Sequence, residues 1–128
     1  MLRCLGIRGA TTASANTTSA ILDATRELLT ALLARNALAT DAIASAFFTL
    51  TTDLDAVHPA LAARQLGWQH VALLCAQEIP VPGSLPRCVR VLLHVNTELP
   101  ASALRHVYLR EAVVLRPEFA TGAETADT

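Results

Sequence analysis

The chain has 128 residues, with ten basic side chains against eleven acidic ones and a net charge of −1 at pH 7. That length suits a single domain of common size, and the balanced charge leaves no basic patch with which to hold nucleic acid. All ten basic residues are arginine, which excludes lysine Schiff-base chemistry and a P-loop lysine and favours the bidentate capture of carboxylates.

Taken in order, Leu2–Arg8 alternates and ends at Gly9, which predicts a first strand whose last side chain is Arg8. Ala10–Asn16 is small and polar and reads as a loop. Thr17–Asn36 carries Ile21, Leu28, Leu29, Leu32 and Leu33 at helical spacing, with Asn16, Thr17 or Thr18 as its cap. Thr40–Asp41 signals a short helical turn, and Ala44–Thr51 has the aromatic and β-branched character of a strand. Asp53–His58 is a loop; Pro59 then suits a first helical turn, and Ala60–Leu66 a short helix stopped by Gly67. His70–Cys75 and Cys88–Asn96 are strands, with Arg90, Leu92 and His94 on the face opposite Val89, Val91 and Leu93. Pro100–Leu104 is a short helix or turn, while His106–Tyr108 and Ala112–Leu115 read as short extended pieces. From Pro117 the apolar pattern stops, so residues 1–120 form the domain and Thr121–Thr128 a flexible tail. The elements together predict an α+β or mixed α/β fold: a mixed sheet with one long helix and short ones.

The chemistry concentrates in Cys75–Arg90. Arg90 sits inside a strand otherwise fit for a core, and Glu78 closes the preceding strand. Charges so placed need a partner or a ligand. Arg8 and Arg90 can form two forks for a dianion, or they can serve in a structural salt bridge with Glu78 or Asp53 as partner. Glu78 can act as a base, accept a hydroxyl hydrogen bond, or simply face water. Cys75 is by type a small core hydrophobe, and Tyr108 reads as core or interface. His58, His70, His94 and His106 show no metal spacing and read as structural. Three cysteines are too few for a disulfide framework and fit a reducing compartment. No uncharged apolar stretch approaches the ~20 residues of a membrane span, and Met1–Cys4 does not open a secretory signal. A cytoplasmic protein without membrane or nucleic-acid partners is expected. Apolar residues are 52% of the chain, with mean hydropathy +0.40, which points to surface buried between subunits.

The segments G-I-R-G-A-T-T (Gly6–Thr12), D-L-D-A-V-H-P-A (Asp53–Ala60), G-W-Q (Gly67–Gln69), C-A-Q-E (Cys75–Glu78), C-V-R-V (Cys88–Val91) and R-H-V-Y-L…V-V-L-R-P (Arg105–Pro117) fall in one order across nearly the whole chain. In that order they resemble the AroH-type chorismate mutases. The resemblance implies a homotrimer packed as a pseudo α/β barrel with active sites between subunits. It implies conversion of chorismate to prephenate, on the way to phenylalanine and tyrosine, without cofactor or metal. It assigns Arg90 to the ether oxygen and a carboxylate, and Glu78 and Cys75 to the ring hydroxyl. Arg8 and Tyr108 would hold carboxylates, Arg64 and Arg116 would lie at the mouth, and Leu115–Phe119 would cover the site. His58 and Ala60 would line it; His58 stands where relatives commonly have phenylalanine, and Leu61 where many have lysine. The alternative carried alongside is a non-catalytic trimeric binder of a small carboxylate in the same clefts.

Overall fold

The computed structural model describes residues 1–116 of the chain. The expected tail at 121–128, and the part of the covering segment from Pro117 on, lie outside the described residues. Five strands form one mixed sheet in the order β3-β2-β4-β1-β5: β1 Arg3–Thr12, β2 Ile43–Leu50, β3 Ala72–Gln77, β4 Cys88–Thr97 and β5 Val107–Tyr108. The helices α1 (Thr18–Asn36) and α2 (Ala60–Gln65) cover one face. The predicted mixed sheet with one long helix is what forms.

α1 begins where Thr17 accepts the amide of Ala20 at 3.1 Å and ends at Ala37, which turns left-handed with φ 51°. Its Leu28, Leu29 and Leu32 are fully buried against Ile7, Phe48, Val91 and Leu93 of the sheet, each contributing about 1.5–3 kcal/mol. The helix can lie this close because β1 has Gly9 beneath it. A Cβ there would meet Leu32 Cδ1 at 2.9 Å and Leu28 Cδ1 at 3.1 Å. At the far end Asn36 clamps the segment entering β5: it accepts the Arg105 amide at 2.7 Å and donates to the Arg105 carbonyl at 2.9 Å.

Two expectations are corrected. β1 does not stop at Arg8; it continues through Thr12, because Gly9–Thr12 pair with Val91–Cys88 of β4 and Gly9–Ala10 also pair with β5. A stretch of small and β-branched residues read as loop is thereby a buried central strand. Arg110–Leu115 is a 3-10 turn rather than an extended piece. The chain bends at Arg110, where φ is 52°. Hydrogen bonds from Glu111 N to Thr12 Oγ1 and from Ala112 N to Leu109 O then set the turn on the end of β1.

Candidate active site

Strand register assembles the chemistry on the sheet face that the helices leave open. One row across the sheet reads Tyr108, Ala10, Arg90, Thr49 and Ala76, from β5 to β3. The next reads Arg8, Leu92, Phe47 and Leu74. Arg8 and Arg90 are therefore diagonal neighbours on adjacent antiparallel strands, a placement that sets the two residues roughly 7–8 Å apart, their β-carbons somewhat closer. Ala10, between Arg90 and Tyr108, is small enough to leave both larger side chains on its flanks. Tyr108 packs with Ala10, Cys88 and Ala112, against which Leu115 also rests.

Glu78 follows the last residue of β3, held by a backbone bond from its N–H to the Leu50 carbonyl at 2.8 Å. Its carboxylate accepts the Thr49 hydroxyl and lies 3.4 Å from Arg90 Nε. Glu78, not Asp53, is thus the partner of Arg90. The Arg90 side chain is 45% exposed and that of Glu78 25%. Pairs so open to solvent contribute only ~0–1 kcal/mol, so stability alone gives little reason for an arginine here.

Asp53 instead binds the Arg87 amide through both carboxylate oxygens and accepts the Thr51 hydroxyl at 2.6 Å. Burial pushes the Asp53 carboxyl up, but the Thr51 hydroxyl, the backbone N–H groups and the Arg87 charge outweigh it and hold the group below its ordinary value. This knot fixes the start of β4, two residues before Arg90. Cys88, also on the open face, is fully buried; burial raises its thiol pKa against the opposing pull of Arg90.

The other predicted residues stand apart. Cys75 pairs with Phe48 and packs against the helix-covered core, on the face opposite Glu78. It lines a cavity of about 410 Å³ with Leu50, Leu54, Val57 and His58. Ala60 and Arg64 lie on α2 just beyond that cavity's loop, Ala60 buried and Arg64 exposed. The loop is pinned by Asn16, which donates to Asp55 Oδ1 at 2.8 Å and accepts the amides of Asp55 and Ala56. In one chain the described residues therefore form two separate groups: Arg8, Arg90, Glu78, Tyr108, Leu115 and Arg116 on one side, Cys75, His58, Ala60 and Arg64 on the other.

Two neighbours of this site are not singled out by the sequence. Thr49 orients Glu78, and His106 accepts the Arg8 backbone N–H on its Nδ1 at 2.9 Å. Alternation in β2 marks Thr49 as outward-facing, but only the pairing to β3 and β4 puts it beside Glu78. His106 gives no signal beyond its place two residues before Tyr108. Among the described residues no group of three or more histidine, cysteine, aspartate or glutamate side chains is placed to hold a metal.

A family model described as chorismate mutase type I matches residues 4–119. Chorismate mutase AroH of Thermus thermophilus is 54% identical over 114 residues, which span 88% of this chain and 93% of that protein. Its namesake in Bacillus subtilis is 42% identical over 121 residues, 94% of this chain and 95% of that one. The solved chorismate mutase from Clostridium thermocellum superposes with a TM-score of 0.85 at 50% identity, covering 86% of this chain and 98% of its own. Agreement of this extent, in sequence and in backbone alike, makes the chain a member of the chorismate mutase type I family.

Proposed function

We infer that this protein is a chorismate mutase, an isomerase that converts chorismate to prephenate in aromatic amino-acid biosynthesis. The observation that carries the reading is Arg90, held between Glu78 and the Tyr108–Ala10 edge on an open sheet face, in a chain whose relatives bear that name. The rearrangement is unimolecular and pericyclic, so it requires no nucleophile and no base. It does require a flexible dicarboxylate to be held in its folded, reactive conformer. It also gains from a cation at the ether oxygen, where negative charge develops as the C–O bond breaks.

Each side chain takes a role on that basis. Arg90 has five donors in a rigid fork; with Nε turned to Glu78, its terminal nitrogens serve the ether oxygen and a carboxylate. Glu78, an acceptor when ionised, takes the ring hydroxyl. Arg8 and Tyr108 hold carboxylates, and Leu115 and Arg116 close the rim. Cys75 faces away from Glu78 of its own chain, so both reach one hydroxyl only if Cys75 comes from a second copy, together with His58, Ala60 and Arg64. The open face supports such an assembly. Phe47 is 41% and Leu74 59% exposed there, apolar surface of the kind that marks an interface. A homotrimer with its sites between subunits satisfies both conditions, and the three free thiols favour the reducing cytoplasm.

A non-catalytic carboxylate binder is not supported: the relatives compared above are all chorismate mutases, and a binder has no need of Glu78 as a hydroxyl acceptor. The test is to follow chorismate loss and identify prephenate by its acid conversion to phenylpyruvate. Arg90→Ala should fold normally and lose about a hundred- to a thousandfold in kcat, the usual cost of one donor to a developing oxyanion. Retained turnover would remove Arg90 from that role.

A further inference from the structure

The strand β5 is two residues long, and its parallel ladder with β1 covers only Gly9–Val107 and Ala10–Tyr108. One residue upstream, the Arg8 N–H is received by a side chain: it donates to Nδ1 of His106 at 2.9 Å. A backbone N–H can only donate, so Nδ1 must present its lone pair and the ring must be neutral with its proton on Nε2. On the other side Asn36 of α1 brackets Arg105. The segment Arg105–Tyr108 is thus fastened to the helix by Asn36 and to β1 by His106.

We propose that His106 is a positioning residue: its neutral imidazole fixes the β1 backbone at Arg8 and so aims the Arg8 guanidinium at a substrate carboxylate. The inference rests on the assignment of Arg8 to carboxylate binding made above. The surroundings keep the ring in the required state. Half-burial lowers its pKa from the ordinary 6.5, and the charges of Arg8 on β1 and Arg116 at the end of the 3-10 turn lower it further; from α1, the neutral amide of Asn36 is bonded to the adjoining Arg105 backbone. Protonation would set one N–H against another and release the Arg8 amide. Because the folded pKa lies below the unfolded one, the unfolded chain binds more protons in mild acid. The contribution of this bond is therefore complete above pH 6.5 and is lost as pH falls through the folded value.

The experiment measures kcat and KM for chorismate from about pH 5 to 8, the range in which histidine titrates, for the full chain and for His106→Ala, His106→Asn, His106→Gln and Arg8→Ala. Asparagine places its oxygen where Nδ1 stands, whereas glutamine carries it one bond farther. His106→Ala should raise KM about tenfold with little change in kcat, the scale of one lost hydrogen bond. His106→Asn should recover most of that and lack the acid-side fall in kcat/KM of the parent; His106→Gln should not recover it. Nitrogen-15 spectra of the parent at neutral pH should show His106 protonated on Nε2, a readout independent of how well any variant folds. A proton on Nδ1, an unchanged acid limb in His106→Asn, or asparagine behaving like alanine each overturns the proposal. If Arg8→Ala is crippled while the His106 variants are not, this inference alone falls; if Arg8→Ala is itself unchanged, the assignment of Arg8 falls and takes the inference with it.

Discussion

Gly9→Ala would perturb the site without touching any side chain proposed to meet substrate. The new methyl would stand 2.9 Å from Leu32 Cδ1, 3.1 Å from Leu28 Cδ1 and 3.3 Å from the Val107 carbonyl oxygen. Ordinary carbon contacts lie near 3.5–4.0 Å, so both leucine methyls must retreat by several tenths of an ångström. They are fully buried, and overpacking in such a core costs about 1–3 kcal/mol. Reduced freedom of the unfolded chain returns about 0.4–1 kcal/mol, leaving a net loss of about 1–2 kcal/mol, or roughly 4–8 °C in Tm for a chain this size. The displaced neighbours are α1 and the first residue of β5, so activity should fall as well, through Arg8 and Tyr108 on either side of the contact. The assay pairs thermal melts with kcat/KM, and includes Leu32→Val alone and combined with Gly9→Ala. Shortening Leu32 withdraws the closest methyl, so the double variant should cost less than the sum of the two single ones. An unchanged or raised Tm for Gly9→Ala, or strict additivity, would refute the clash.

Asn16→Ala removes three hydrogen bonds that pin Asp55 and Ala56. These bonds are exposed, so the expected stability loss is about 1–2 kcal/mol, with faster amide exchange at both residues and a higher KM from the loosened His58 loop. Protection unchanged at Asp55 and Ala56 would show that the loop is held by other means. Cys75→Ala should slow turnover only a few fold, because a thiol is a weak donor; a loss as large as that of Arg90→Ala would mean that Cys75 does more than orient a hydroxyl.

The long helix and the strand carrying Arg90 were legible because each is governed by a local period. Leucines at 28, 29 and 32 repeat at helical spacing, and Val89, Val91 and Leu93 alternate with Arg90 and Leu92 over the very stretch that becomes β4. The stretch Ala10–Thr12 was not legible. Small polar residues suit a loop, and only the partners on both sides, β4 and β5, make it a central strand. The opposite error at Ala112–Leu115 has the same root: an apolar stretch looks extended, but without a strand beside it the turn set by Arg110 prevails.

For the site, the sequence by itself determined the inventory. It supplied arginines as the sole cations, a glutamate closing a strand, and ordered motifs that resemble one family. The tertiary structure decided the company those residues keep. Register set Arg90 between Ala10 and Thr49, turned Cys75 and Glu78 to opposite faces three residues apart, and brought the His106 ring to the Arg8 amide. Alternation along a strand tells which side chains share a face, whereas register between strands is fixed by hydrogen bonds and packing among segments far apart in the chain, which no local period records.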